Sequence, residues 1–299
     1  MTYELIQSIF MATPDTPFPQ PVLPRSPARR LRDALEPIAT QGWWARQPSE
    51  RMAGLGLGFF DGYLWGRAAG LGTPSAAVVV ATFGVFDPAM LTSVYEQAVV
   101  AASREDVLAA RAEGATEALA EVVSAEDAAA VADPLLDALA GIDAMGRALF
   151  SGLRALPLPD TAHGRLWRSA ELVREHRGDG HLAAAVAAGL DMAAVNVLTE
   201  LWLGFGVGEY SATRGLSPDQ LAAALGSLEA QGLVADGALT SVGRSRREEL
   251  ELATDRSQQA LIDALGEAIE PVIDRAGAIS TEIVAARSFP TDPRKRAAG

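Results

Sequence analysis

The three histidines of this chain, His163, His176 and His181, share one stretch, and two of them belong to a charged run, Glu175-His176-Arg177-Gly178-Asp179-Gly180-His181. Neutral imidazole binds divalent metals, and two histidines with one carboxylate make the open facial site of non-haem iron chemistry. His176, Asp179 and His181 are therefore a candidate ligand set, for which a divalent metal or haem is the cofactor to test. The same residues could instead act as a His–Asp pair in acid–base work, the carboxylate orienting the ring. Arg177 beside them suits a carboxylate or phosphate ligand, because a guanidinium fork matches such groups bidentately. Joined by Tyr63 and Trp65 from an aromatic segment, His176, Arg177, Asp179 and His181 make a candidate small-molecule site. The competing reading is architectural: Asp179 caps a helix and a histidine bonds a carbonyl at a helix end. His163 lies over three turns before His176, roughly 20 Å along a straight helix, and cannot join the group without a bend.

The elements that must position these residues are helical. Asp160 is expected to cap a helix whose core face is Leu166, Trp167, Ala170 and Val173, with Arg165, Arg168, Glu171 and Arg174 mostly toward solvent. Gly178 is suited to stop that helix and Asp179 to cap the next, Gly180 to Ala188, which makes a tight corner. An apolar helix, Ala193 to Trp202, follows, and then the glycine-rich Gly204 to Tyr210, a linker or a lid. Upstream, Leu31, Ala34, Leu35 and Ile38 repeat at helical spacing between Ala28 and Ala39. Residues 42–72 mix glycine with aromatics and allow only short or glycine-interrupted helices. Gly54 to Gly58 lacks the spacing of a dinucleotide fingerprint and reads as close helix packing. The acidic residues between Arg104 and Asp143 form a solvated helical face, and Asp133-Pro134 reads as a helix start.

Residues 213–256 carry a distinct module. Ser217 can cap a helix with the inner stripe Leu221, Leu225 and Leu228; Gly232 ends it, Asp236-Gly237 marks a hairpin, and Leu239 to Arg244 opens another helix. That is the order of a winged helix. The run Ser227 to Val234, followed by Leu239-Thr240 and Gly243-Arg244, resembles the recognition-helix-and-wing segment of MarR-type regulators. Ala28 to Leu31, Gly66 to Ala69, Arg174 to His181 and Ala253 to Arg256 resemble an actinobacterial family of uncharacterised helix-turn-helix proteins, a likeness covering most of residues 28–256. It implies a fold and no established activity. The module departs from a DNA reader: Ser217 to Gly232 holds no Arg or Lys, and the wing tip carries Asp236. Arg244, Arg246 and Arg247 offer the nearby positive charge, followed at once by Glu248, Glu249 and Glu251.

Composition bounds the rest. A net charge of −13 disfavours non-specific binding to nucleic acid or anionic membrane. With no cysteine there is no disulfide, thiolate metal site or cysteine nucleophile, in keeping with a reducing, cytoplasmic setting. No apolar run is long enough to span a bilayer, and neither a Gly-x-Ser-x-Gly elbow nor a Walker loop is present. The organisation expected is a Pro-rich arm (1–27), a helical subdomain (28–159), a corner unit (160–212), the winged-helix-like module (213–256) and a C-terminal helix and tail (257–299). The fold class is mainly α, with one short β-hairpin. Leu261, Leu265 and Ile269 form a stripe that a homodimer would bury. The functional expectation is a ligand sensor on a winged-helix scaffold with weak or no DNA binding. An enzyme using the His176–His181 corner and a DNA-binding regulator are the alternatives.

Overall fold

The computed structural model describes residues 3–11 and 23–298, so residues 12–22 of the proline-rich arm lie outside the described residues. The N-terminal half is helical throughout: α1 (Tyr3–Phe10), α2 (Pro27–Ala39), α3 (Gln41–Trp44), α4 (Arg46–Gly54), α5 (Phe59–Ala68), α6 (Ala76–Phe83), α7 (Pro88–Ala101), α8 (Arg104–Ala120), α9 (Ala125–Ala140) and α10 (Ala148–Arg154). Then come α11 (Ala162–Ala187), α12 (Met192–Leu203), α13 (Pro218–Ala230), β1 (Val234–Ala235), β2 (Ala238–Leu239) and α14 (Ser241–Arg256). The chain closes with α15 (Gln259–Leu265), α16 (Ile269–Ala285) and α17 (Pro293–Ala298).

Local chemistry sets most of these boundaries. Ser26 caps α2 by accepting from the Arg29 N–H, and Pro27 occupies the first turn, where its missing donor costs nothing. Ser217 and Gln220 form a reciprocal capping box on α13. Asp236 and Gly237 both take positive φ, 50° and 72°, and close the two-residue turn that pairs Val234 with Leu239. Two expected starts are displaced. Thr161, not Asp160, caps α11. Ser124 caps α9, which runs through Pro134 because Leu135 and Leu139 on the same helix are buried in the core.

The largest correction concerns α11. It does not stop at Gly178; one helix runs from Ala162 to Ala187, and there is no corner. Gly180 is present for proximity, since a Cβ there would lie 2.2 Å from Ser257 Oγ and 2.9 Å from an Arg147 nitrogen. The glycine lets the junction of α14 and α15 press against α11. Arg168 and Glu171, expected in solvent, are buried as well. A central helix is covered on every side, so its polar side chains must find partners inside the protein.

The main core gathers α2, α8, α9, α11, α15 and α16 around Leu35, Ile38, Leu135, Phe150 and Trp167. Leu261 and Leu265 are buried there and Ile269 packs against it, so the chain itself covers most of this stripe. A second core joins α4 to α8 around Trp65, Phe83 and Leu91, and a third holds α12, α13 and the hairpin. Gly243 admits the hairpin base onto α14; its absent Cβ would sit 1.9 Å from the Leu233 carbonyl oxygen. Among the described residues no single helix is long and apolar enough to cross a membrane.

Candidate functional site

Where α11 passes between the two large cores and the winged module, it borders a cavity of about 230 Å³. One wall is aromatic. Trp43 of α3 meets Tyr63 of α5 edge-on at 5.2 Å, Tyr63 stacks on Phe60 at 5.9 Å, and Phe86 lies 6.1 Å from Tyr63. More than half of the chain's aromatic residues line this space. Phe10 of α1, 5.4 Å from Trp44, and Lys295 of α17 line it as well.

The other wall is charged. Glu175 receives Arg67 bidentately, at 3.1 and 2.8 Å, and Arg174 at 2.8 Å. Burial pushes this carboxyl up, but Arg67 and Arg174 outweigh burial and hold it at about 2. Arg174 continues to Glu36 at 3.2 Å and stacks over Trp43, while Arg67 lies over Phe83 and bonds the Tyr63 hydroxyl at 2.6 Å. A second network centres on Glu251, which accepts from Arg177 at 2.9 Å, Arg247 at 2.7 Å and Arg29 at 3.2 Å.

Asp179 differs from these carboxylates. Its one hydrogen-bond partner among the described residues is the Phe150 N–H at 3.0 Å, so it caps α10 from the flank of α11. Burial raises its carboxyl to about 7, with Glu175 adding to the rise. Capping was the expected role, but for a different helix. His181 bonds Thr254 Oγ1 at 3.0 Å, and burial lowers it to about 3. His176 bonds Gln258 Oε1 at 2.7 Å, packs edge-on against Phe150, and is lowered by burial to about 4. With the amide oriented this way, His176 Nδ1 carries the proton.

Of the residues singled out in the sequence, Tyr63, Arg177, Asp179 and His181 line the cavity. Trp65 points to the other side of α5, donating to the Ala102 carbonyl at 3.0 Å and meeting Tyr95 edge-on. His176 turns to α10 and Gln258, away from the cavity, and His163 bonds the Val123 carbonyl at 2.9 Å. Among the described residues no group of three or more His, Asp or Glu is placed to hold a metal ion, so His176, Asp179 and His181 do not converge as ligands. A straight helix sends the two rings to different neighbours, where a corner could have joined them.

Sequence reasoning missed Arg67, Arg174, Glu175, Glu36, Arg214 and Arg247 as lining residues. A signal existed: Arg67 interrupts the otherwise apolar Leu64 to Ala69, and an arginine at such a position requires a buried partner. Glu200 is another such case on α12. It accepts from the N–H groups of Gly208, Tyr210 and Ser211 at 2.9, 2.7 and 2.6 Å. These bonds pin the glycine-rich segment, where Phe205 stacks on Tyr210 at 5.6 Å, and they place Arg214.

The outer face of α13 presents Asp219, Ala222, Ala223, Gly226, Ser227 and Glu229 to solvent, without a cation. Arg247 is interior and Arg246 bonds the Ala188 carbonyl at 2.6 Å, which leaves Arg244 as the exposed arginine of that trio.

Helix α12, the pinned loop, α13, the hairpin and α14 follow one another as a helix-turn-helix with a wing. The chain belongs to a helix-turn-helix family, whose family model matches residues 28–290. No curated protein and no solved structure matches it.

Proposed function

We propose that this protein is a small-ligand-binding member of its family, in which a MarR-like winged-helix module serves mainly as scaffold and contacts DNA weakly or not at all. The observation that carries the reading is the 230 Å³ cavity where the aromatic wall meets the guanidinium groups of α5 and α11. Apolar walls with a few placed polar groups are the usual build of a ligand pocket. The cationless face of α13 supports the second half of the reading.

Gly178 supplies the test. It lines the cavity from α11, and a Cβ there meets nothing nearer than Glu175 Oε2 at 3.6 Å. Gly178→Leu fills the space while improving helix propensity. Titration calorimetry with 2-naphthoate and 2-naphthamide is expected to give one-to-one binding of at least one probe to the natural protein and none to Gly178→Leu. Equal binding by both proteins would refute the cavity as the site.

A second reading, acid–base chemistry in the same cavity, is favoured by Asp179 alone, whose carboxyl is poised at about 7. Its ¹³C carboxyl shift followed across pH tests this. A midpoint in the ordinary carboxylate range would remove it.

A further inference from the structure

Six arginines and one lysine line the cavity against four carboxylates, in a chain whose net charge is −13. The interior has thus collected an excess of the sign that the whole chain lacks. Pairing the groups off locates the excess. Glu175 takes Arg67 and, with Glu36, Arg174. Glu36 also faces Arg32, and Glu251 takes Arg177 and Arg247. The fourth carboxyl, Asp179, is held largely protonated below neutrality by burial and offsets little of what remains.

Arg214 and Lys295 remain. Among the described residues neither has a carboxylate within ion-pair distance. Arg214 donates to Asn196 Oδ1 at 2.6 Å, to the Tyr210 hydroxyl at 3.3 Å and to the Ala298 carbonyl at 3.5 Å, all neutral acceptors. Its guanidinium lies over Tyr210 at 4.6 Å and near Phe86 at 5.9 Å. Lys295 donates to the Phe10 carbonyl at 3.0 Å. Both cations border α17, because Ala298 stands one turn beyond Lys295 and both of those residues line the cavity. A part-buried cation served only by neutral acceptors gains from an anion, and a guanidinium with spare donors gains most from a planar, bidentate one.

We propose that the cavity takes an aromatic carboxylate, whose ring lies against the Phe60–Tyr63–Phe86 wall and whose carboxylate is bound by Arg214 with Lys295 in support. This rests on the cavity being a ligand site and names what that site selects. A flat carboxylate follows from the donor, because the guanidinium of Arg214, stacked over Tyr210, is a planar fork. Phe86 belongs to both the ring wall and the Arg214 pocket, so the two parts of the ligand meet adjacent surfaces.

The test uses the full chain and three probes that share a naphthalene ring: 2-naphthoate, its isostere 2-naphthamide, and 2-naphthyl phosphate. For the natural protein we expect naphthoate to bind at least about tenfold tighter than naphthamide, the scale of a charge-assisted pair, and tighter than the phosphate. Arg214→Gln is expected to weaken naphthoate by about tenfold or more and leave naphthamide unchanged. Lys295→Met is expected to weaken naphthoate less, and it serves as the deciding variant if Arg214→Gln does not fold. Naphthamide binding as tightly as naphthoate, or naphthoate affinity unchanged in the deciding variant, would overturn the proposal while leaving the cavity a ligand site. Tighter binding of the phosphate would overturn the choice of a flat carboxylate over a tetrahedral oxyanion. Failure of all three probes would instead overturn the cavity reading beneath it.

Discussion

Replacing Asp179 by asparagine removes an ionisable group and keeps an oxygen to accept the Phe150 N–H. In the folded chain this carboxyl is raised from 3.8 to about 7, so between those values the native state holds a proton that the unfolded state has released. Stability changes with pH as the proton count of the unfolded state minus that of the native state, which is negative here. Asp179 therefore lowers stability progressively as pH rises from ~4 to ~7, and its cost is complete above ~7. A shift of about three units at ~1.36 kcal/mol each sets an upper bound of about 4 kcal/mol. Relaxation around the cavity reduces this, and about 2 kcal/mol is the working figure. Urea unfolding of both proteins at a series of pH values should show Asp179→Asn drawing ahead across that window and keeping a constant lead above it. Asp179→Ala, which loses the cap, should fall below the asparagine variant by about 1 kcal/mol at every pH. A lead independent of pH, or an asparagine variant less stable than the natural protein at alkaline pH, would refute the assignment of Asp179 as an uncompensated buried carboxyl.

Glu175→Gln should cost about 3–5 kcal/mol in urea unfolding, because it leaves Arg67 and Arg174 without the carboxylate they share; a loss under ~1 kcal/mol would mean the network contributes little. His176 and His181 stay neutral in the fold, at about 4 and about 3, whereas the unfolded chain takes up protons below ~6.5. Stability should thus fall as pH drops from ~6.5 toward ~4, and His181→Gln should shrink that fall, as urea midpoints at mildly acidic and neutral pH would record. Duplex DNA should show no sub-micromolar, salt-sensitive retardation by this protein; a steep salt slope would restore α13 as a reading helix.

Local rules carried the sequence reading a long way where the deciding atoms lie within a few residues. The stripe of α2, the Ser217 capping box and the Asp236-Gly237 turn form where their residue types require, since each satisfies its own backbone. The helix-turn-helix family and the mainly helical class were also legible in that pattern. Four of the six residues nominated for a site line the cavity. The means by which they arrive there was not legible. Gly178 carries the signature of a helix stop, yet the helix runs on through it, and two residues later the missing Cβ of Gly180 admits Ser257 from a distant part of the chain against that unbroken helix. Arg168, Glu171 and Arg174 have the spacing of a solvated face, but the tertiary structure sets Arg111, Glu36 and Trp43 opposite them and makes that face interior. Sequence determines which groups are charged and which backbone positions can bend. Whether a charge meets water or another charge depends on what the fold brings to it from distant parts of the chain, and only the tertiary structure decided that.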